Sequence, residues 1–384
     1  MPGLSDCTLL GVDGGATEVK AHHVSCDNLS APHAFALAEA AAARVYPRRN
    51  GFAPLPVTQQ LAEREAPQLT ADEVAVGATW VSAAAEAIAD TARQVGARRL
   101  IVGMGMPGLK TPTGRGIAVI NNGPRIPDFL ERLEQLLVEQ DFELAAPIAR
   151  LGSDADYCGV GEQWAEAGLF RDVENAYYVG GGTGVADALK LRGELVTFDA
   201  AREWMRKAWQ IPSNQGPTFE QLVSARGMNA GYQQRIGATA PDRFPEVDAL
   251  AGDPQAIAWL RDVADALAEL IVERLDTVRN GRRALTHRGD DYAKLTSDHP
   301  YRGTLLDRVV IGQRIGMLYA DARCRPFFAD HVDAAFARRV HALEDPQLAR
   351  HVLAGDAPRP GFLQASQLRA APALGAAVSA VQAL

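Results

Sequence analysis

The 384-residue sequence is poor in cysteine: Cys7, Cys26, Cys158 and Cys324 stand far apart and form no Cys-x-x-Cys pair. That argues against a disulfide framework or a cysteine zinc cluster and makes a reducing cytoplasm the expected compartment. No apolar run approaches the ~20 residues of a membrane-spanning helix. The opening stretch MPGLSDCTLLGVDGG has neither the basic region nor the apolar core of a secretory leader, so no membrane association is expected. Positive charge is not in excess either. The 39 basic and 47 acidic residues give a net charge of −8, which does not invite nucleic acid. There is no Gly-X-Y period and no 20–50-residue repeat. The histidines show no ligand spacing. What remains is an ordinary globular composition, 47% hydrophobic and 22% charged, long enough for two or three domains.

The pattern along the chain predicts strands over 8–15 and 19–24, joined by a tight turn at Gly14-Gly15. Thr70 and Glu73 form a capping-box signature for a helix that ends near Gly96 and buries Trp80, Ala84, Ile88, Ala92 and Val95. A strand over 98–103 enters the loop GMGMPGLKTPTGRG. A strand near 147–151 ends at GSDAD and gives way to the helix DYCGVGEQWAEAGLF. The strand over 175–180 runs into GGTG and a hairpin. Helices are predicted over 218–225, 253–278 and 371–384, a strand over 308–312, and an exposed polar insertion near 280–303. Residues 26–68 are hardest to assign; a short strand near 34–37 and a long surface connection are expected. Strands that alternate with helices and are interrupted by hairpins predict an α/β protein with mixed sheets.

Three stretches carry candidate chemistry, and one is a decoy. Gly103, Gly105 and Gly108 spell Gly-x-Gly-x-x-Gly after a strand, but Pro112, Gly114 and Gly116 prevent the helix that a dinucleotide loop requires. Close backbone approach is the better reading of these glycines. In GVDGGATEVK, a strand ends at Asp13, and Gly14, Gly15 and Thr17 form a turn that could cradle an anion. Asp13 either holds a hydrated Mg2+, which keeps waters and takes few carboxylates, or caps the turn. In VGGGTGVADALK, Gly181, Gly182, Thr183 and Gly184 form a second such turn, whose alternative is a glycine bulge. Between them Asp154 stands where a strand becomes a helix. It is either an N-cap or a base at a cleft edge.

In this order the stretches resemble the ROK family of sugar kinases, within the actin, hexokinase and heat-shock chaperone superfamily. GVDGGATEVK is similar to that family's first phosphate motif and NAYYVGGGTGVADALKLRGEL to its second. SDADYCGVGE is similar to its Asn-Asp-Ala-Asn motif, which puts Asp154 on the catalytic aspartate. GMGMPG with INNGP is similar to the segment before the hinge, RVVIGQRIG to the strand and turn near the adenosine, and PALGAAVSA to the terminal helix. The resemblance implies a two-lobed ribonuclease H-like (actin-like ATPase) fold with mixed sheets and an interlobe cleft. The lobes would be 1–124 with 371–384, and 125–370. It also implies a homodimer. There are departures. Ser153 replaces the Asn beside the base, Gln313 and Arg314 replace glycines of the adenosine turn, and TFDAAREWMRKAWQIPSNQGP stands where a Gly-Glu-x-Gly-His sugar grip should. The Cys-rich zinc loop is missing, so no structural zinc is expected.

The expected function is an ATP- and Mg2+-dependent phosphotransferase acting on a hydroxyl of a small polyol. Gly14, Gly15, Thr17, Gly181, Gly182, Thr183, Gly184 and Gly312 would serve the nucleotide, and Asp13 the Mg2+ through water. Asp154 would act as base, with Asn121, Asn122 and Ser153 at the acceptor. The two amides suit hydroxyl recognition, and a plain turn before Gly123-Pro124 is their alternative role. The altered sugar grip points to an aminosugar or a cyclitol rather than glucose. The rival is a non-catalytic sugar or nucleotide sensor. With a phosphate strand expected to begin near Thr8, the helix-turn-helix of repressor relatives is not expected.

Overall fold

The computed structural model describes residues 6–29, 34–47, 51–237, 243–281 and 296–384; the insertion expected near 280–303 lies mostly outside the described residues. The chain forms two compact units, Met1–Gly168 with Ala370–Leu384, and Leu169–Arg369.

In the first unit β1 (Thr8–Gly14), β2 (Glu18–Cys26) and β3 (Phe35–Val45) form an antiparallel meander. After α1 (Val57–Ala62) and α2 (Ala71–Gln94), β4 (Arg99–Met106) returns parallel to β1. A small hairpin of β5 (Leu109–Lys110) and β6 (Ile117–Val119) follows, then α3 (Phe129–Glu139). β7 (Glu143–Leu144) and β8 (Leu151–Ser153) both pair in parallel with β4, and α4 (Asp154–Trp164) follows β8 directly. The sheet order is β3-β2-β1-β4-β7, with β8 also on β4.

The predicted capping box is present. Glu73 N–H donates to Thr70 Oγ1 at 3.1 Å and Thr70 N–H to Glu73 Oε2 at 3.0 Å. α2 buries Trp80, Ala84, Ile88 and Ala92 in one core with Leu10 and Val12 of β1. Residues of alternate parity on a strand face the other way. There, Gly11 and Gly103 are register partners on β1 and β4. A Cβ on Gly11 would lie 1.9 Å from the Ala373 carbonyl oxygen, and one on Gly103 1.8 Å from that of Ala376. The two glycines thus form a bare floor on which the backbone of the C-terminal helix, Ala371–Gln382, rests. This is the close approach that the decoy motif suggested.

The domain boundary expected at 124/125 is corrected to 168/169. Residues 125–168 belong to the first unit because β7 and β8 extend its sheet and α4 packs on the C-terminal helix, with Gly161 against the Ala371 carbonyl. Asp154 therefore shares a unit with Asp13.

The second unit repeats the strand order. β9 (Ala176–Gly181), β10 (Val185–Leu191) and β11 (Glu194–Val196) form an antiparallel meander. The helices α5 (Phe198–Ala201), α6 (Phe219–Val223), α7 (Ala225–Ile236), α8 (Pro245–Leu250) and α9 (Pro254–Asn280) follow. β12 (Arg308–Gly312) then pairs in parallel with β9, and α10 (Gln313–Ala320), α11 (Ala329–His341) and α12 (Pro346–Val352) come after it. β13 (Leu353–Ala354) pairs with β14 (Ala357–Pro358), and β15 (Leu363–Ala365) closes the order β11-β10-β9-β12-β15. The single helix expected over 218–225 is two: Ser224 ends α6 and caps α7, its Oγ accepting from Gly227 N–H at 2.9 Å. Among the described residues no helix is long and apolar enough to cross a membrane.

Candidate functional site

The first unit brings Asp13 and Asp154, but not Asn121 and Asn122, to the carboxyl ends of three parallel strands. Asp13 on β1 is register partner to Gly105 on β4, which is partner to Gly152 on β8. Adjacent strands lie about 4.8 Å apart, so this row is short. Gly105 leaves the row open. A Cβ there would lie 3.5 Å from Asp154 Cα and 2.9 Å from the Tyr157 ring. The start of α4 therefore settles over Gly105, one strand away from Asp13.

Asp154 is not the helix cap. Ser153 is the N-cap, its Oγ accepting from Asp156 N–H at 3.4 Å, and Asp154 is the first helical residue. The capping alternative passes from Asp154 to Ser153. Asp13 is half-buried at the strand end. Burial, followed by the charge of Asp154, pushes its carboxyl up to about 7; Lys20 opposes this and Glu18 adds to it. A cation would relieve such a carboxylate. Among the described residues no three His, Cys, Asp or Glu side chains converge. A donor set of Asp13 with Asp154 nearby suits Mg2+ bound mainly by water, and is too small for a dehydrated metal.

The turn after β1 is partly closed on itself. Gly15 N–H donates to the Glu18 carbonyl at 2.8 Å, so this amide closes the hairpin rather than standing free for an anion. A Cβ on Gly14 would lie 1.9 Å from Met106 Sδ. Thr17 is exposed, and its carbonyl accepts from Tyr46 N–H at 3.0 Å.

Asn121 and Asn122 are exposed on a turn with a rigid base. On one side the buried Gln60 clips Ile120: Ile120 N–H donates to Gln60 Oε1 at 2.8 Å, and Gln60 Nε2 donates to the Ile120 and Leu55 carbonyls at 3.0 and 2.6 Å. On the other side the buried Arg125 donates from Nε and Nη2 to Glu73 at 2.8 and 2.9 Å. It also reaches Glu63 at 2.6 Å and the Gln68 carbonyl at 2.6 Å. Burial raises the Glu73 carboxyl, but the Arg125 bonds outweigh it and hold the group below its ordinary value. Between the two clamps Gly123 rests on Trp80, where a Cβ would come within 2.4 Å of the indole. Gln60, Glu63 and Arg125 gave no local sequence signal, because their partners lie about 50 to 60 residues away along the chain.

In the second unit Gly182, Thr183 and Gly184 form the turn from β9 to β10. Gly182 accepts from Ala225 N–H at 2.7 Å through its carbonyl. Glu220, which the sequence did not single out, accepts from Val185 N–H at 3.2 Å. Burial raises its carboxyl, and the Val185 bond opposes that shift. Gly181 is bridged in parallel to Gln313, and a Cβ on Gly182 would lie 2.5 Å from Gln313 Oε1. Gln313 adopts a left-handed φ of +55°, a conformation that glycine takes most readily. Gly312 admits the Tyr178 hydroxyl, which would lie 2.1 Å from a Cβ. Arg314 is held by Glu246, by Asn229 Oδ1 at 2.8 Å and by the Ala225 carbonyl at 3.1 Å, over the Phe244 ring. The turn after β12 is thus held by side-chain bonds.

No family model and no curated protein matches the chain. Solved structures do. A ROK family glucokinase from Streptomyces griseus, in complex with glucose and AMPPNP, superposes with a TM-score of 0.56 at 16% identity over 98% of this chain and 99% of its own. A ROK hexokinase from Thermus thermophilus gives 0.52 at 17% identity, covering 98% of each chain. A ROK family transcriptional regulator, a homologue of the E. coli MLC protein, gives 0.51 at 11% identity over 98% of this chain and 78% of its own. At such identities the likeness is one of fold: the chain has the actin-like ATPase fold of ROK-type sugar kinases, α/β with mixed sheets.

Proposed function

We propose that the protein is an ATP- and Mg2+-dependent kinase that transfers the γ-phosphoryl group to a hydroxyl of a small sugar-like polyol, an aminosugar or cyclitol rather than plain glucose. The observation that carries this reading is the placement of Asp154. It is released from capping by Ser153 and set over Gly105, one strand from Asp13, at the ends of β1, β4 and β8. In this reading Asp154 orients the acceptor hydroxyl and takes its proton, a positioning task that needs no raised pKa. Bound Mg2+ would neutralise phosphate charge, and Asp13 would hold its water shell. The turn with Gly14, Gly15 and Thr17, and the turn with Gly181, Gly182, Thr183 and Gly184 together with Gly312, would each offer backbone and hydroxyl groups to a nucleotide. Gly15 would do so without its engaged amide. Asn121 and Asn122 would bind acceptor hydroxyls from their clamped turn.

The acceptor class rests on the segment after β11. It contains no histidine and departs from the sugar grip of ROK kinases. The solved glucokinase and hexokinase support kinase chemistry on this fold, whereas the regulator with the same fold shows that fold alone does not decide activity. One feature favours a non-catalytic sensor: the Gln313 side chain lies against Gly182, where a nucleotide phosphate would approach. ADP release with Mg2+ across a panel of hexoses, aminosugars and cyclitols separates the two. A kinase shows acceptor-dependent release. A sensor binds nucleotide or sugar and releases none above the rate without acceptor.

A further inference from the structure

Tyr157 stands one helical turn after Asp154 on α4, so the two residues are neighbours on the helix surface. Its ring is buried and lies on two bare strand positions. A Cβ on Gly105 would come within 2.9 Å of Tyr157 Cδ2, and one on Gly152 within 2.0 Å of Cζ. Gly105 and Gly152 are register partners on β4 and β8, and Asp13 is the partner of Gly105 on β1. Partners in a sheet face the same way, so the ring fills the two places in the row next to Asp13. The helix is held from behind as well. The Tyr157 carbonyl abuts Gly375 of the C-terminal helix, where a Cβ would lie 2.1 Å from the oxygen. The hydroxyl is met by Ser379 of the same helix and by Arg150, just before β8, which oppose the upward push of burial on the phenol.

Both strand positions lack a side chain, so the Tyr157 ring is what spaces the first turn of α4 from the sheet at Gly105 and Gly152. Asp154 belongs to that turn, and its Cα would lie 3.5 Å from a Cβ on Gly105. We propose that Tyr157 is the positioning residue for Asp154: its ring, wedged on the paired glycines of β4 and β8, sets the height at which the Asp154 carboxylate stands beside the strand ends and meets an acceptor hydroxyl. The proposal rests on the kinase reading. It gives a role to a residue that touches neither nucleotide nor acceptor. It also explains why Gly105 and Gly152 are bare, since a methyl group at either would push the ring away. Placement of this kind is worth much to turnover, because a shift of about 1 Å at a reacting group can cost about 10²-fold.

The test compares Tyr157→Phe, Tyr157→Leu and Gly152→Ala in the full chain. Each is read by kcat with an accepted polyol, counted per folded molecule, by calorimetric AMPPNP affinity with Mg2+, and by thermal denaturation. Phenylalanine keeps the ring and should keep most of the turnover. Leucine removes it and should lower kcat by about 10–10²-fold, with AMPPNP affinity unchanged. Gly152→Ala displaces the ring instead of deleting it and should lower kcat in the same selective way. Combined with Tyr157→Leu it should cost little more, because the ring it displaces is gone. A ring that serves stability alone would lower the melting temperature of Tyr157→Leu and leave kcat per folded molecule as in the native chain; that result overturns the proposal and leaves the kinase reading intact. A parallel loss of kcat and AMPPNP affinity overturns it too, as does full additivity of the two substitutions. Should leucine prevent folding, Gly152→Ala decides by the same split between kcat and affinity. If the unaltered chain shows no acceptor-dependent ADP release, the kinase reading fails and this inference fails with it.

Discussion

Without metal, the protein should lose stability as pH rises from about 4 to about 7, and Asp13 is the cause. Its carboxyl stands at about 7 in the fold against an ordinary 3.8, raised by burial first and by Asp154 second. Below the lower value both folded and unfolded chains hold the proton, and the group contributes nothing. Between the two values the unfolded chain ionises while the folded one stays protonated, so each further pH unit favours unfolding by about 1.4 kcal/mol. Above about 7 the folded chain carries the charged form, and the loss levels off near 4 kcal/mol, about three pKa units. Urea denaturation of the native chain and of Asp13→Asn, both in EDTA at several pH values across this window, isolates the effect from other titrating groups. The stability difference between the two should move by about 4 kcal/mol against the native chain from the acid to the alkaline end. Saturating Mg2+ should recover part of it at the alkaline end. Asp154→Asn should shift the fall to lower pH, since one of its causes is gone. A stability difference that stays constant across the window refutes the placement of Asp13 as a desolvated carboxylate beside Asp154.

Two further outcomes follow from packing. Gly182→Val drives a Cβ to 2.5 Å from Gln313 Oε1; calorimetry should show AMPPNP binding lost while circular dichroism keeps the native spectrum, and unchanged affinity would remove the second turn from the nucleotide site. Arg125→Ala strands Glu73, itself 2% exposed, and should destabilise the chain by about 3–5 kcal/mol. In steady-state kinetics it should raise the KM of the acceptor more than that of ATP, because Arg125 anchors the turn that carries Asn121 and Asn122.

Local chemistry made part of this fold readable in advance. The Thr70–Glu73 capping box, the hairpins at Gly14-Gly15 and at Gly182–Gly184, and the passage from strand to helix at Ser153-Asp154 all rest on residues close in sequence, where turn and cap preferences act. ALAEAAAARV carries helix-forming alanines, so the sequence predicts only a short strand there; pairing with β2 at both ends of Phe35–Val45, across a bulge, overrides that preference. The boundary at 168/169 depends on β7 and β8 joining β4 and on α4 meeting a helix more than 200 residues away in sequence, none of which leaves a local mark. The same holds for the site. Asp13, Asp154 and the glycines announce themselves through spacing, whereas Gln60 and Arg125 act through distant partners. Gln313 was visible as a departure from glycine, but only the structure shows its side chain laid against Gly182.

In the proposed kinase, Asp154 acts on the acceptor and not on the nucleotide or the helix. Its most direct test is Asp154→Asn, assayed for phosphoryl transfer to an accepted polyol and, in the same preparation, for AMPPNP affinity. With Ser153 as the cap, the variant should fold normally. A positioned base contributes about 10²–10⁴-fold, so kcat should fall by that factor while nucleotide affinity stays within about twofold. A variant that turns over like the native chain would contradict the assignment.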